Sequence, residues 1–274
     1  MLKFILSLAF SICVFFSYGA QVDTLSVYSA SMKKNIKTVV VLPDSYSRQD
    51  SLPVIYLLHG FGGNYKNWVD RAPTVKELAD AFSMIIICLD GGKDSWYWDS
   101  PEDPTYRYET FFIQELIPWV DTHYKSRRSR SGRAITGLSM GGQGALYLSF
   151  RHQDLFGAAG STAGGVDIRP FPKKWNMARH LGALAAFPER WDQHSIVEMV
   201  HLLIPGSLEL VIDCGVEDFF YDVNEALHRK LLLRNIPHTY ITAPGQHNWD
   251  YWSTSISYQL LFMHHFFEKS IKKG

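Results

Sequence analysis

The sequence predicts an α/β fold, a mostly parallel central sheet with helices on both faces, and three observations carry that expectation. Short, continuously apolar runs that close on glycine or a polar turn recur along the chain, among them "LPVIYLLHG", "MIIICLDGG" and "LELVIDCG". Unbroken apolarity is what a strand buried on both faces needs. Stretches whose apolar residues return every three or four positions separate these runs, and alternating strands and helices build a covered parallel sheet. The chain has 274 residues, 46% hydrophobic and 20% charged, enough for one full-sized core.

The elements follow in order. "DTLSVYSASM" and "IKTVVVLPDSY" read as two strands joined by a polar turn at Lys33 to Asn35. "LPVIYLLHG" and "MIIICLDGG" are central strands, followed by "RAITG", "FGAAGS", "LELVIDCG" and "HTYITAP". Val75, Leu78, Ala79 and Phe82 form one helical face. Phe112, Leu116, Trp119 and Val120 form another, with Pro118 expected to kink it. Val223, Ala226, Leu227 and Lys230 begin a third helix, and Trp252, Ile256, Leu260, Met263 and Phe267 mark the last. Residues 166–206 break the alternation and are rich in Pro, Trp and His. They read equally as an insertion over one end of the sheet or as a poorly patterned helical connection.

Residues 1–19 have a different grammar. One lysine precedes an apolar run from Phe4 to Phe16, and "SYGA" supplies small residues at Ser17 and Gly19. That is the layout of a cleaved secretory signal peptide, and the run is short for a membrane span. The mature chain is expected to be a single catalytic domain, residues 20–274, in a periplasm or outside the cell. Lysine plus arginine equals aspartate plus glutamate, so no net charge recruits nucleic acid, or a membrane once the signal is removed. The run Lys125 to Arg133 reads as a solvated loop. Of three cysteines, Cys88 and Cys214 fall in strand-like runs without metal-type spacing and are expected as buried free thiols. No metal or other cofactor is called for.

Chemistry concentrates at "TGLSMGGQGA", residues 136–145. A strand, a glycine-flanked serine and then a helix make the context of a nucleophile elbow, in which Ser139 stands exposed on a strained turn. A serine hydroxyl is a weak nucleophile until an imidazole takes its proton. Of eleven histidines, His247 lies on the loop after the last strand, in "APGQHNWDYW", at the sheet edge where sites gather. The acid partner falls in "LELVIDCGVEDFFYD". Asp213 is still near the strand, and Asp222 is expected to cap the next helix. Asp218 is the choice and Glu217 the fallback.

Backbone amides must then hold the developing oxyanion. Met140, directly after the serine, is one donor. The loop "LLHGFGGNYKNW" offers Phe61, then Gly62, as the other, while His59 shapes the turn. Gly62, Trp96, Tyr97, Trp98 and Trp249 are candidates for substrate contact. For "DGGKDSWYWDSP" the alternative is packing of the loop onto the body of the domain.

"LLHGFGGNYKNW", "GLSMGGQGA", "IDCGVEDFF" and "GQHNWDYW", in that order, resemble the esterase D-like group of α/β-hydrolases. That group includes S-formylglutathione hydrolases, tributyrin, feruloyl and acetylxylan esterases, and mycolyltransferases. The resemblance runs from about Val22 to the C-terminus. It implies an α/β-hydrolase fold and metal-free acyl transfer, with the triad on Ser139, Asp218 and His247 and the oxyanion donors on Phe61 and Met140. Export ranks glutathione thioesters low. The expected activity is removal of feruloyl or acetyl groups from plant-type polysaccharide or oligosaccharide. A general short-chain esterase follows, then an acyltransferase and a non-catalytic sugar-binding protein.

Overall fold

The computed structural model describes residues 19–272. The expected signal sequence therefore lies outside the described residues, apart from Gly19. Among the described residues no helix is long and apolar enough to cross a membrane.

Eight strands form one sheet: β1 (Gln21–Ser29), β2 (Lys34–Leu42), β3 (Val54–Leu58), β4 (Ile85–Leu89), β5 (Arg133–Gly137), β6 (Ala158–Thr162), β7 (Glu209–Gly215) and β8 (Thr239–Ala243). Their spatial order is β1-β2-β4-β3-β5-β6-β7-β8. Only β2 runs antiparallel to its neighbours; from β4 and β3 onward every pairing is parallel. This is the α/β-hydrolase arrangement. Strands β3, β4 and β5 are buried at every position; β3 and β4 are unbroken apolar runs, as that burial requires, while β5 buries Arg133 against Asp121 and Thr136 against Gln259. The first turn closes earlier than expected, at residues 30–33, because Lys34 and Asn35 pair with Ser29 and Tyr28.

Among the described residues ten α-helical segments accompany the strands: α1 (Asn67–Arg71), α2 (Thr74–Ala81), α3 (Tyr108–Thr110), α4 (Ile117–His123), α5 (Met140–Arg151), α6 (Met177–Leu181), α7 (Pro188–His194), α8 (Ile196–Met199), α9 (Tyr221–Leu233) and α10 (Trp249–Ile271). One apolar cluster on one side of the sheet joins Tyr56, Ile87 and Ile135 to Phe112, Leu146 and Leu227. A second, on the other side, joins Ile55, Ile86 and Ala134 to Val75, Ile256 and Leu260. Alternate residues of each strand serve opposite clusters, as a period of two dictates.

Three local expectations need correction. Pro118 does not kink a plain α-helix. The wide turn Phe111–Leu116 joins α3 to α4, and its π geometry absorbs the amide that proline lacks. Asp222 does not cap α9, which starts one residue earlier behind Phe220. The main chain there is already held by Asp218, whose carbonyl accepts the Tyr221 N–H. The basic run is not simply a solvated loop either. Arg133 is buried and paired with Asp121 at 2.7 Å, and Lys125 Nζ donates to the carbonyls of Ser47 (3.1 Å) and Gln49 (2.9 Å). Severing a buried pair such as Arg133–Asp121 strands a charge and costs about 3–5 kcal/mol, so the run anchors the β5 entrance. Residues 166–206 connect β6 to β7 through α6, α7 and α8. From this connection Trp175 reaches the cleft above Ser139.

Candidate active site

Ser139 follows β5 and opens α5 with φ 55° and ψ −118°. A residue with a Cβ avoids that region at a cost of order 1–3 kcal/mol, so its surroundings must over-determine it. They do. Its N–H donates to Thr162 O (2.9 Å) and its carbonyl accepts from Gln143 N–H (3.0 Å). The elbow also presses against β3. A Cβ on Gly137 would sit 2.6 Å from Leu58 O, and one on Gly141 would sit 2.5 Å from the same carbonyl. Only glycine tolerates that approach.

The Ser139 hydroxyl donates to His247 Nε2 at 2.8 Å, and His247 Nδ1–H donates to Asp218 Oδ2 at 2.7 Å. Both bonds are satisfied by one tautomer, with the ring proton on Nδ1. The Asp218 side chain is fully buried, and its other oxygen accepts the Phe220 N–H at 2.8 Å. One carboxylate oxygen is thus fixed by the backbone and the other faces the imidazole. All three residues sit on loops at the carboxyl ends of β5, β7 and β8, the edge where open α/β sheets collect their sites.

Glu217 has a different occupation. It is exposed, its carboxylate accepts the Gly245 N–H, and its own N–H donates to Gly245 O (3.1 Å). It fastens the His247 loop rather than facing the ring. Asp213 is completely buried below, accepting from Ser255 Oγ (2.6 Å) and Thr162 Oγ1 (2.9 Å). Burial pushes its carboxyl up, and these hydrogen bonds oppose that push. Because Thr162 also accepts the Ser139 N–H, this buried network backs the elbow.

On the loop after β3, Gly62 has φ +72° and spends its N–H on Lys93 O (2.7 Å), and Gly63 spends its own on Gly60 O (3.0 Å). Gly62 therefore cannot offer an amide to a ligand. Phe61 N–H has no acceptor among the described residues, and neither has Met140 N–H, the first amide of a helix having no intrahelical partner. His59 shapes the turn: its Nδ1–H donates to Gly60 O (2.8 Å) and its Nε2 accepts from Gly91 N–H (2.8 Å).

A cleft of about 340 Å³ opens over Ser139, the size of a small-ligand site. Phe61, Gly62 and Trp249 line it, as expected, and so do Asn67, Arg71, Trp175 and Trp252. Trp96, Tyr97 and Trp98 do not. Each is 1% exposed or less. Tyr97 donates its hydroxyl to His59 O (3.0 Å), and Trp96 stacks on Trp98 with centroids 5.4 Å apart. The loop packs onto the body with Trp96 and Tyr97 both at positive φ (53° and 63°).

Comparison with known proteins now adds to the geometry. The family model for "Putative esterase" matches residues 29–263. The chain belongs to this esterase family. An acetyl esterase of Caldicellulosiruptor saccharolyticus is 27% identical over 253 residues, covering 85% of this chain and 94% of the relative. An endo-1,4-beta-xylanase/feruloyl esterase of Xylanibacter ruminicola is 28% identical over 157 residues, covering 53% of this chain and 22% of that longer protein. A solved ferulic acid esterase superposes with TM-score 0.78 at 28% identity, covering 91% of this chain and all of the other. The esterase is a carboxylic ester hydrolase.

Sequence reasoning missed Asn67, Arg71 and Trp175 in the wall of this esterase's cleft. Nothing in their local pattern marks them; the composition of residues 166–206 was the only signal near Trp175.

Proposed function

We propose that the esterase is exported and removes feruloyl or acetyl groups from plant-type polysaccharide or oligosaccharide, through an acyl-enzyme on Ser139. The hydrogen-bonded line from Ser139 through His247 to buried Asp218 carries this reading. His247 takes the hydroxyl proton as Ser139 Oγ attacks the ester carbonyl. Asp218 holds the Nδ1–H tautomer and stabilises the imidazolium. The unspent amides of Phe61 and Met140 receive the oxyanion, an interaction worth about 3 kcal/mol of barrier per donor. His247 then protonates the leaving alcohol; a water that gives its proton to the same base attacks the acyl carbonyl, the bond to Ser139 Oγ breaks, and His247 returns the proton to that oxygen as the acid leaves. An acetyl esterase and a feruloyl esterase among the relatives and the aromatic cleft support the choice of ester. The amino-terminal apolar run supports export.

The experiment is a paired assay of the mature protein and Ser139→Ala on 4-nitrophenyl acetate, methyl ferulate and acetylated xylo-oligosaccharide. Turnover led by the feruloyl or xylan ester, and lost in the variant, is expected. Turnover of the small acetate alone would reassign the protein to general short-chain esters. Equal rates for the two proteins would end the acyl-enzyme reading.

A further inference from the structure

Trp175 stands out in the connection between β6 and β7. It lines the cleft with Ser139 and His247, yet its backbone is left-handed, at φ 47°, and the next residue, Asn176, repeats this at φ 57°. Two successive left-handed residues with side chains are unfavourable unless something holds them. Two fastenings come from the loop after β4. Trp96 Nε1–H donates to Trp175 O at 3.2 Å, and Asp94 Oδ2 accepts Asn176 Nδ2–H at 2.9 Å. Asp94 is itself buried at 2% exposure, with His180 Nε2 3.5 Å from its other oxygen. The rigid aromatic loop therefore reaches the cleft indirectly, by gripping the residue that lines it.

The held ring has a defined neighbour. Trp175 stacks on Phe219 with centroids 5.6 Å apart and planes 21° apart, and Phe219 lies 4.3 Å from the His247 ring. Phe219 is 52% exposed and packs against Trp175 from the side of His247. Of the two rings, Trp175 is the one that lines the cleft with Ser139.

We infer that Trp175, backed by Phe219, forms a stacking platform for a ring carried by the ester, and that Asp94 and Asn176 are the positioning residues that set it. This rests on the esterase reading of the same cleft and names its selectivity: esters that carry a ring with an apolar face, in acid or alcohol, over esters without one. The ring face of a hydroxycinnamoyl acid and that of a sugar meet the same requirement, and separate substrates distinguish them.

The test measures kcat and KM for wild type, Trp175→Ala, Asp94→Ala, Asp94→Asn and Asn176→Gly. Methyl ferulate carries its ring in the acid, acetylated xylo-oligosaccharide in the alcohol, and glyceryl triacetate carries none. Trp175→Ala is expected to raise KM about tenfold for at least one ring-bearing ester, the size of one lost stacking contact, with triacetate changed less than about twofold. Asp94→Ala should reproduce that pattern. Asp94→Asn, which keeps an acceptor for Asn176, should restore it towards wild type. Asn176→Gly keeps the left-handed backbone without the hydrogen bond, and it should show the ring-selective KM rise even if Asp94→Ala fails to fold. A uniform loss on all three esters, or no change with Trp175→Ala, would overturn the platform while leaving the esterase reading intact. A wild type inactive on every ester would instead overturn that reading.

Discussion

The acid partner of His247 gives the sharpest prediction, because two adjacent carboxylates compete for the role and only one faces the ring. In Asp218→Asn the amide has two placements. With its oxygen kept on the Phe220 N–H, now 2.8 Å from Oδ1, the NH2 group meets His247 Nδ1 and forces the ring proton onto Nε2. Nε2 can then no longer accept from the Ser139 hydroxyl. With the amide turned over, NH2 confronts the Phe220 N–H inside a fully buried site, leaving unpaired donors at about 1–3 kcal/mol. The first placement prevails, and the imidazole is held in the wrong tautomer. The loss expected from such inversion is on the order of 10⁴ in kcat, about 5 kcal/mol of barrier. Glu217→Gln keeps an acceptor for the Gly245 N–H and should leave kcat within about threefold. The assay is initial-rate hydrolysis of 4-nitrophenyl acetate by both variants, with thermal melts to establish that each is folded. A rate for Asp218→Asn within tenfold of wild type, or a comparable loss in Glu217→Gln, would refute the assignment.

Other outcomes follow from packing and charge. Gly141→Ala forces a methyl against Leu58 O, with 2.5 Å available, so α5 must move off β3; overpacking of this kind costs about 1–3 kcal/mol, and a melt should fall several degrees while kcat drops more than tenfold. Glu109 is half-buried, which opposes its ionisation, but bonds from His152 Nε2 (2.9 Å), Arg151 Nε (2.8 Å) and the Tyr147 hydroxyl (2.9 Å) outweigh this desolvation and hold its carboxyl at about 2. Its folded value lies below the ordinary 4.5, so the stabilisation is complete above that pH and fades as pH falls toward 2. Glu109→Gln should therefore lower stability by about 2–3 kcal/mol at neutral pH, and melts of the two proteins should converge in acid; a constant gap across that window would contradict the assignment. Cys88 and Cys214 are free and buried, and burial pushes both thiols up, so neither should react with a thiol reagent until the protein unfolds; rapid native labelling would show the strands to be open.

Much of this esterase is written into local pattern. Continuous apolar runs mark β3 and β4 because those strands are covered on both faces, and such burial leaves no room for alternation. Ser139 is legible because a strained elbow needs small neighbours in a fixed order. His247 and Asp218 are legible as loop residues after the last two strands, since parallel topology brings all strand exits to one edge. What no local pattern contains is the direction of a side chain on an irregular loop. In sequence Trp96, Tyr97 and Trp98 read equally as a binding surface or as packing, and the structure buries all three. Trp175 has no periodicity to announce it, and Asp94 and Trp96, roughly eighty positions earlier, bond to its neighbour and its carbonyl. The choice of Phe61 over Gly62 as a free amide likewise depends on where Lys93 O falls. Residue type and spacing determined the scaffold and the proposed reacting groups, because steric and burial rules act on neighbours along the chain. Tertiary structure alone decided where Trp175 and the free amide fall, because hydrogen bonds between segments far apart in sequence hold them.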